Sequence, residues 1–167
     1  RIPMGYPTSP EINYGFGVSF GWKGLDISTF FQGQDRVSFF INAGGISPFV
    51  NQRNAMQVIA DDHWSPDNPV AQSFWQRLSA SSNANNTQQS TWWIRNGRIV
   101  RMKSLEVGYS LPDSLLSKTP LKLVRVYFSG SNLFKIADFD LWDPEMGSNG
   151  LGYPLQRVYS LGLQITF

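Results

Sequence analysis

Residues 159–167 read Tyr-Ser-Leu-Gly-Leu-Gln-Ile-Thr-Phe, with a large apolar side chain at every odd position and a small or polar one between them. Successive side chains of a β-strand point to opposite faces of the sheet, so this stretch predicts a strand with one wholly apolar face. Lipid outside a transmembrane barrel requires such a face, and an aqueous interior requires the polar one. The last strand of a soluble β-sandwich alternates in the same way, so this stretch alone leaves both alternatives open.

The composition is compatible with membrane strands and argues against membrane helices. Only 41% of the 167 residues are hydrophobic, and the mean hydropathy is -0.24. No apolar run approaches the roughly 20 residues of a spanning helix, whereas a barrel with a wet interior keeps half of each strand polar. The sequence contains no cysteine, and its net charge of +2 is not concentrated in a basic run. Neither thiolate chemistry nor nucleic acid binding is therefore expected.

The same alternation recurs upstream. Residues 12–22 alternate aromatic or aliphatic side chains with glycine, serine and asparagine, and a two-residue turn then predicts a hairpin with a second strand. A third strand ends at Leu111, and we expect a bulge in it near Lys103 or Ser104 because the apolar phase changes there. A fourth strand is predicted over residues 121–134. With the terminal strand, the sequence predicts about five antiparallel strands.

The connections between these strands alternate in length. The first hairpin turn and residues 112–120 are short, whereas residues 34–97 and 135–153 are long. Outer-membrane barrels keep short turns in the periplasm and long loops outside, and a periplasmic C-terminus places every long connection here outside. The sequence therefore predicts an all-β fold, a segment of a transmembrane antiparallel β-barrel with long extracellular loops in the bacterial outer membrane. Five strands cannot close a membrane barrel, so the remainder of a larger barrel is an expected partner.

Two sets of strand residues have predicted roles. The apolar residues of the terminal strand are expected to face outer-membrane lipid and to present an assembly signal to the insertion machinery; they are Tyr159, Leu161, Leu163, Ile165 and Phe167. On the opposite face of the neighbouring strands, Glu106, Arg125 and Tyr127 are expected to face the lumen.

The long connections contain most of the tryptophans, and these are candidates for contact with a solute or with a lid protein: Trp64, Trp75, Trp92, Trp93 and Trp142. Exposed aromatic rings can stack on sugars or anchor a partner. Packing of the long loop against itself would explain the same residues equally well, and both interpretations stay open. The polar tract over residues 79–91 predicts a flexible spacer.

Residues that could perform chemistry are few. His63 is the single histidine, and acidic residues surround it. A helical turn capped by Asn54 and ending at residues 64–66 explains this cluster better than a metal site, since no metal-ligand spacing recurs. A second acidic loop, over residues 138–145, lacks the central glycine and terminal glutamate of a calcium loop, so a solvated loop is favoured there. No serine lies in a nucleophile elbow. We therefore expect no enzyme, no metal site and no cofactor.

Several longer stretches carry a family resemblance. They are PEINYGFGVSFGWKGLDISTFFQG at 10–33, DDHWSPDNP at 61–69, RMKSLEVGYSLP at 101–112, LKLVRVYFSGSNLF at 121–134, DFDLWDPEM at 138–146 and GYPLQRVYSLGLQITF at 152–167. In this order they resemble the SusC/RagA-type TonB-dependent outer-membrane transporters of Bacteroidetes. The resemblance covers most of the chain and weakens mainly in the polar tract.

The resemblance implies that residues 1–167 are the C-terminal part of a barrel of roughly 22 strands. The plug domain and TonB box of that family lie N-terminal to this region and are not in this chain. The resemblance further implies energised import of large solutes, oligosaccharides or peptides, for nutrient uptake. Its expected partners are a SusD-like lipoprotein over the barrel mouth and the TonB complex, reached through the missing N-terminal region. The alternative is a soluble β-sandwich carbohydrate-binding module that uses its loop aromatics.

Overall fold

The computed structural model describes residues 4–69, 73–81 and 83–167. Its strands are β1 (Ile12–Trp22), β2 (Leu25–Asp35), β3 (Ser38–Phe40), β4 (Ile94–Asn96), β5 (Ile99–Ser110), β6 (Leu123–Ser131), β7 (Lys135–Ala137) and β8 (Val158–Thr166). Its helices are α1 (Ala43–Ile46), α2 (Gln57–Asp61), α3 (Ala84–Thr87) and α4 (Asp113–Leu116), with 3-10 turns at Val50–Gln52 and Pro144–Met146. None of these helices is long and apolar enough to cross a membrane.

The long strands form one antiparallel sheet in the order β1-β2-β5-β6-β8, and β7 continues the pairing on β5 beyond the end of β6. These are the strands that the alternation predicts. The β6 strand is shorter than expected, because Asn132 adopts a left-handed φ of 54° and the ladder with β8 ends at Ser131. The predicted antiparallel all-β sheet is therefore confirmed.

A two-residue turn joins β1 to β2. Lys23 and Gly24 have φ values of 47° and 87°, the two positive angles of a type I′ turn, whose twist matches that of the flanking strands. Gly24 also packs against the backbone oxygen of Ser110, so a side chain at this position would collide with β5. The predicted hairpin is confirmed by its register, which pairs Trp22 with Leu25.

A bulge in β5 keeps the two faces of the sheet distinct. Phe30 of β2 pairs with Ser104, but Phe31 pairs with Met102, so Lys103 is left without a partner in β2. The extra residue shifts the alternation of side chains by one position. Met102 and Leu105 therefore lie on the same face of the sheet although they are three residues apart. The bulge predicted at Lys103 or Ser104 is confirmed.

One face of the sheet is apolar and uncovered. Val18 is 60% exposed and Leu161 is 80% exposed, and both belong to a continuous set of large apolar side chains across the sheet. The exposed members are Tyr14, Phe16, Val18, Phe20, Trp22, Tyr109, Val126, Tyr159, Leu161, Leu163 and Ile165. A sandwich requires a second sheet over such a face, and within the described residues none packs there. A patch of this extent marks contact with lipid or protein.

The buried core lies among the long connections. It combines residues of β3 and α1 with Ile59, Trp75, Trp93 and Phe139. This loop core covers the polar face at the end of the sheet opposite the first hairpin turn, where Ile99 is only 2% exposed. Neither β3, β4 and β7 nor α1, α3 and α4 were predicted from the sequence. The predicted helical turn before His63 corresponds to α2, although its N-cap is Met56 and not Asn54.

The polar tract over residues 79–91 is not simply a spacer. Its described part contains α3, where the side chain of Asn83 accepts a hydrogen bond from Asn85 N at 3.0 Å. The carbonyl of Asn86 accepts a hydrogen bond from Trp93 Nε1, also at 3.0 Å. The spacer prediction is therefore wrong for α3, because a core tryptophan holds this helix in place.

Candidate functional site

A cluster of charged side chains lies on the polar face, where it links three strands. Arg125 of β6 donates to Asp26 of β2 through Nε at 3.1 Å and through Nη2 at 2.5 Å. The same Nη2 donates to Glu106 of β5 at 2.7 Å. The guanidinium thus spans from β6 across β5 to β2, and the paired carboxylates neutralise it. Bidentate geometry makes this cluster specific for the observed register.

Two glycines on the polar face make room for this cluster. The Arg125 side chain lies over Gly108, and the Tyr127 ring lies over Gly162, so closely that a Cβ at either glycine would collide with it. The guanidinium carbon is 5.0 Å from the centre of the Tyr127 ring. Small and large residues therefore alternate on this face in a way that lets each large side chain pack over a glycine of the neighbouring strand. Glu106, Arg125 and Tyr127, expected to face a lumen, lie together on the polar face.

A row of four serines crosses the sheet, interrupted by Glu106 of this cluster. The register aligns Ser19, Ser28, Glu106, Ser129 and Ser160 on the five long strands. These polar side chains lie opposite the exposed apolar face. Such a surface is suited to water and to polar solutes, since hydroxyls both donate and accept hydrogen bonds.

Arg101 connects the sheet to the loop after β7. It is only 4% exposed, and it donates through Nη2 to Asp143 at 2.5 Å and through Nε to Glu145 at 2.8 Å. Lys103 Nζ also contacts Glu145, at 3.1 Å. A buried arginine is tolerated because its donors are paired with two carboxylates. This cluster holds the Pro144–Met146 turn against β5.

The same contacts bear on metal binding. Asp143 and Glu145 are occupied by Arg101, and Asp138 accepts a hydrogen bond from Asn96 Nδ2 at 2.8 Å. Within the described part of the chain, no group of three or more potential ligands is arranged to hold a metal ion. The acidic residues of this loop serve as partners for basic and amide side chains.

The structure separates the five loop tryptophans into two groups. Trp75 is 4% exposed and Trp93 is 5% exposed, and Trp142 packs at the edge of the same loop core, 4.8 Å from Phe139 between ring centres. The prediction that Trp75 and Trp93 contact a solute or a lid protein is wrong, because burial in the core leaves little of their surface for a ligand. Packing of the loop against itself explains these residues.

Trp92 and Trp64 are the exposed tryptophans of the long connections. Trp92 is 46% exposed, and its ring lies parallel to that of Phe74, with centres 5.9 Å apart. Its Nε1 donates to the Phe74 carbonyl at 3.2 Å, which fixes the ring. The guanidinium of Arg95 lies 4.3 Å from the Phe74 ring centre, and burial lowers the pKa of Arg95 from its ordinary value. Trp92 and Phe74 thus form an ordered aromatic surface with a cation beside it.

Known proteins are similar to this chain in sequence and fold, although no family model matches it. The TonB-dependent receptors P26 and P3 of Formosa agariphila are 27% and 28% identical to it, over 99% and 100% of the chain. The solved RagAB peptide importer in its closed-closed state aligns with 97% of the chain at 25% identity and a TM-score of 0.74. A second solved structure, of the RagAB peptide transporter, gives 26% identity and the same TM-score of 0.74.

The resemblance to SusC/RagA-type TonB-dependent transporters is confirmed. The chain spans only 18% of receptor P26, 17% of receptor P3 and 18% of the RagAB chain. The similarity therefore extends over a fraction of each relative's length. The relatives are receptors and transporters, and none is named as an enzyme.

Three site residues were not predicted from the sequence. Asp26 is in phase with Ser28 on the polar face, so the alternation could have indicated its position but not its partner Arg125, 99 residues away. Arg101 gave no signal in the sequence, since its burial depends on the loop that covers it. Phe74 was not predicted, since no local pattern places it beside Trp92 and Arg95.

Proposed function

We propose that this chain is part of the closed transmembrane barrel of an energised outer-membrane importer, a barrel of roughly 22 strands as in the resembling family. The observation that carries this proposal is the uncovered apolar face of the five-stranded sheet, with hydroxyls and paired charges on the opposite face. Lipid suits the first face and a wet lumen suits the second. Both edge strands of the sheet need further strands in hydrocarbon, and the rest of the barrel would supply them.

The proposal assigns the loop core to the extracellular side. The short connections lie at one end of the sheet and the loop core at the other, as in outer-membrane barrels. Because the loop core covers the polar face, it would narrow the mouth of the lumen. Residues Tyr159, Leu161, Leu163, Ile165 and Phe167 would face lipid, and their role as an assembly signal stays a prediction.

The solute and the partners are inferred by analogy. One solved relative is named the RagAB peptide importer. We propose import of large solutes, oligosaccharides or peptides, with a SusD-like lipoprotein as lid. The TonB complex would act through the part of the receptor outside this chain. No enzymatic step and no cofactor is required for this function.

An epitope test checks the orientation. A tag inserted after Ala80, an exposed residue of the long connection, should be labelled by antibody on intact cells that produce the full-length protein. A matched tag after Lys118, exposed in the short connection before β6, should be labelled only after the outer membrane is permeabilised. The reverse pattern would overturn both the topology and the proposed extracellular role of the loop core.

A second test separates the two groups of tryptophans. Trp92→Ala should weaken recovery of the lid lipoprotein with the purified full-length transporter by roughly tenfold or more, because exposed, ordered aromatic residues often dominate an interface. The level of transporter in the outer membrane should stay near normal. Trp93→Ala should instead lower that level, since it opens a cavity in the loop core. If the lid lipoprotein were recovered equally well with Trp92→Ala and with the unsubstituted protein, this surface would not be part of the interface.

A further inference from the structure

The sequence contains two Asn-Gly pairs, Asn96-Gly97 and Asn149-Gly150. In such a pair the backbone nitrogen of the glycine can attack Cγ of the asparagine, because no glycine Cβ hinders the approach. A C–N bond forms, the side-chain amide takes up the proton of the glycine nitrogen and leaves as ammonia, and a cyclic succinimide results. Water then opens the ring to aspartate or isoaspartate. The reaction needs only water, a free glycine N–H and freedom of the asparagine to rotate.

At the first pair, hydrogen bonds hold every group that would react. The N–H of Gly97 donates to the carbonyl of Val37 at 2.9 Å. Asn96 Nδ2 donates to Asp138 at 2.8 Å, and Asn96 Oδ1 accepts a hydrogen bond from Arg98 N at 3.0 Å. Asn96 is the last residue of β4, and it is exposed to water. These hydrogen bonds, and not burial of the asparagine, therefore prevent the attack.

The second pair lacks these restraints. Asn149 is also exposed, but neither its side-chain amide nor the N–H of Gly150 has a hydrogen-bond partner among the described residues. The backbone is held there by two turn hydrogen bonds only, from Asn149 N to the carbonyl of Met146 at 3.3 Å and from Gly152 N to the carbonyl of Asn149 at 3.1 Å. An exposed turn outside the strands and helices opens at little cost in free energy. The two pairs thus differ in restraint and not in exposure of the asparagine.

We propose that Asn149 is a site of spontaneous deamidation in the folded protein, whereas Asn96 is protected. The reaction adds a carboxylate to the loop after β7, and its isoaspartyl product also adds one carbon atom to the backbone. The backbone of Gly150 already lies so close to the Trp142 ring that a Cβ there would collide with it. The longer backbone of isoaspartate therefore displaces this turn from Trp142. The reaction is independent of the proposed importer function.

The test compares each asparagine in the folded protein with the same asparagine in the unfolded chain. The full-length protein, folded in detergent or unfolded in guanidinium chloride, is incubated at mildly alkaline pH and then digested. Mass spectrometry of the peptides measures the extent of deamidation and distinguishes aspartate from isoaspartate. In the folded protein, Asn149 should react within about fivefold of its rate in the unfolded chain. Asn96 should react at least roughly thirtyfold more slowly than in the unfolded chain, the effect of its three hydrogen bonds.

Two variants serve as controls. Asn149→Gln lengthens the side chain by one methylene, which disfavours ring closure, so residue 149 should stay unmodified. Asp138→Ala removes one hydrogen bond of Asn96 and should accelerate its deamidation about three- to tenfold without changing the rate at Asn149. Equal protection of the two asparagines in the folded protein would overturn the proposal. Reaction of both at the rates of the unfolded chain would equally contradict it, because the hydrogen bonds of Asn96 would then give no protection.

Discussion

Arginine at Val18 should strongly reduce the amount of folded full-length protein in the outer membrane. Val18 lies in the middle of β1, opposite Thr29, and 60% of its surface is exposed on the apolar face. If that face meets lipid, a charge near the bilayer midplane costs about 2 to 4 kcal/mol. Leu163→Arg, in β8, should have a similar effect. The measurement is the fraction of heat-modifiable, folded protein in isolated outer membranes.

The adjacent residue provides the control. Ser19 points to the opposite face and pairs with Ser28 in the row of serines, so Ser19→Arg places the same charge on the polar face one residue away. It should reduce the folded fraction much less, and Gln164→Arg should match it for β8. Comparable losses from Val18→Arg and Ser19→Arg would mean that both faces are buried in dry surroundings, and the proposed wet lumen would be rejected.

The period-two pattern predicted the main sheet because strand environment is decided locally. In β1 and β8 each side chain meets either the apolar or the polar side, and no distant contact changes that assignment. Even the bulge at Lys103 was visible, since an extra residue shifts the apolar phase in the sequence itself. The order of the strands in the sheet was harder to predict from the sequence. β2 pairs with β5 across a connection of more than sixty residues, and only the predicted long loop allowed for it.

The loop core could not be predicted in the same way. Trp75 and Trp92 both lie in a polar stretch, and no local pattern distinguishes the buried one from the exposed one. The difference arises when residues distant in sequence, including Phe39 and Phe139, pack edge to face with ring centres 5.1 Å apart and enclose the core.

Replacing Arg101 with methionine should release the loop after β7 from the sheet. Methionine fills a similar volume but leaves Asp143 and Glu145 without their shared guanidinium. Removing one member of a buried ion pair typically costs about 3 to 5 kcal/mol, and we expect the lower end because Glu145 keeps Lys103 and is itself 26% exposed. Hydrogen exchange of the amides in residues 138–152 should therefore accelerate by roughly a hundredfold.

Lys103→Met is the matched control for this cluster. The ammonium of Lys103 lies 3.1 Å from Glu145, but 29% of its side chain is exposed, so its loss should alter exchange of the loop by less than about fivefold. Hydrogen exchange of the β1 amides should stay slow in both variants, because the pairing of β1 with β2 does not involve Arg101. If Arg101→Met instead left the loop as protected as in the unsubstituted protein, the core around Phe139 and Trp142 alone would hold the loop. The buried Arg101 would then have no part in positioning this loop.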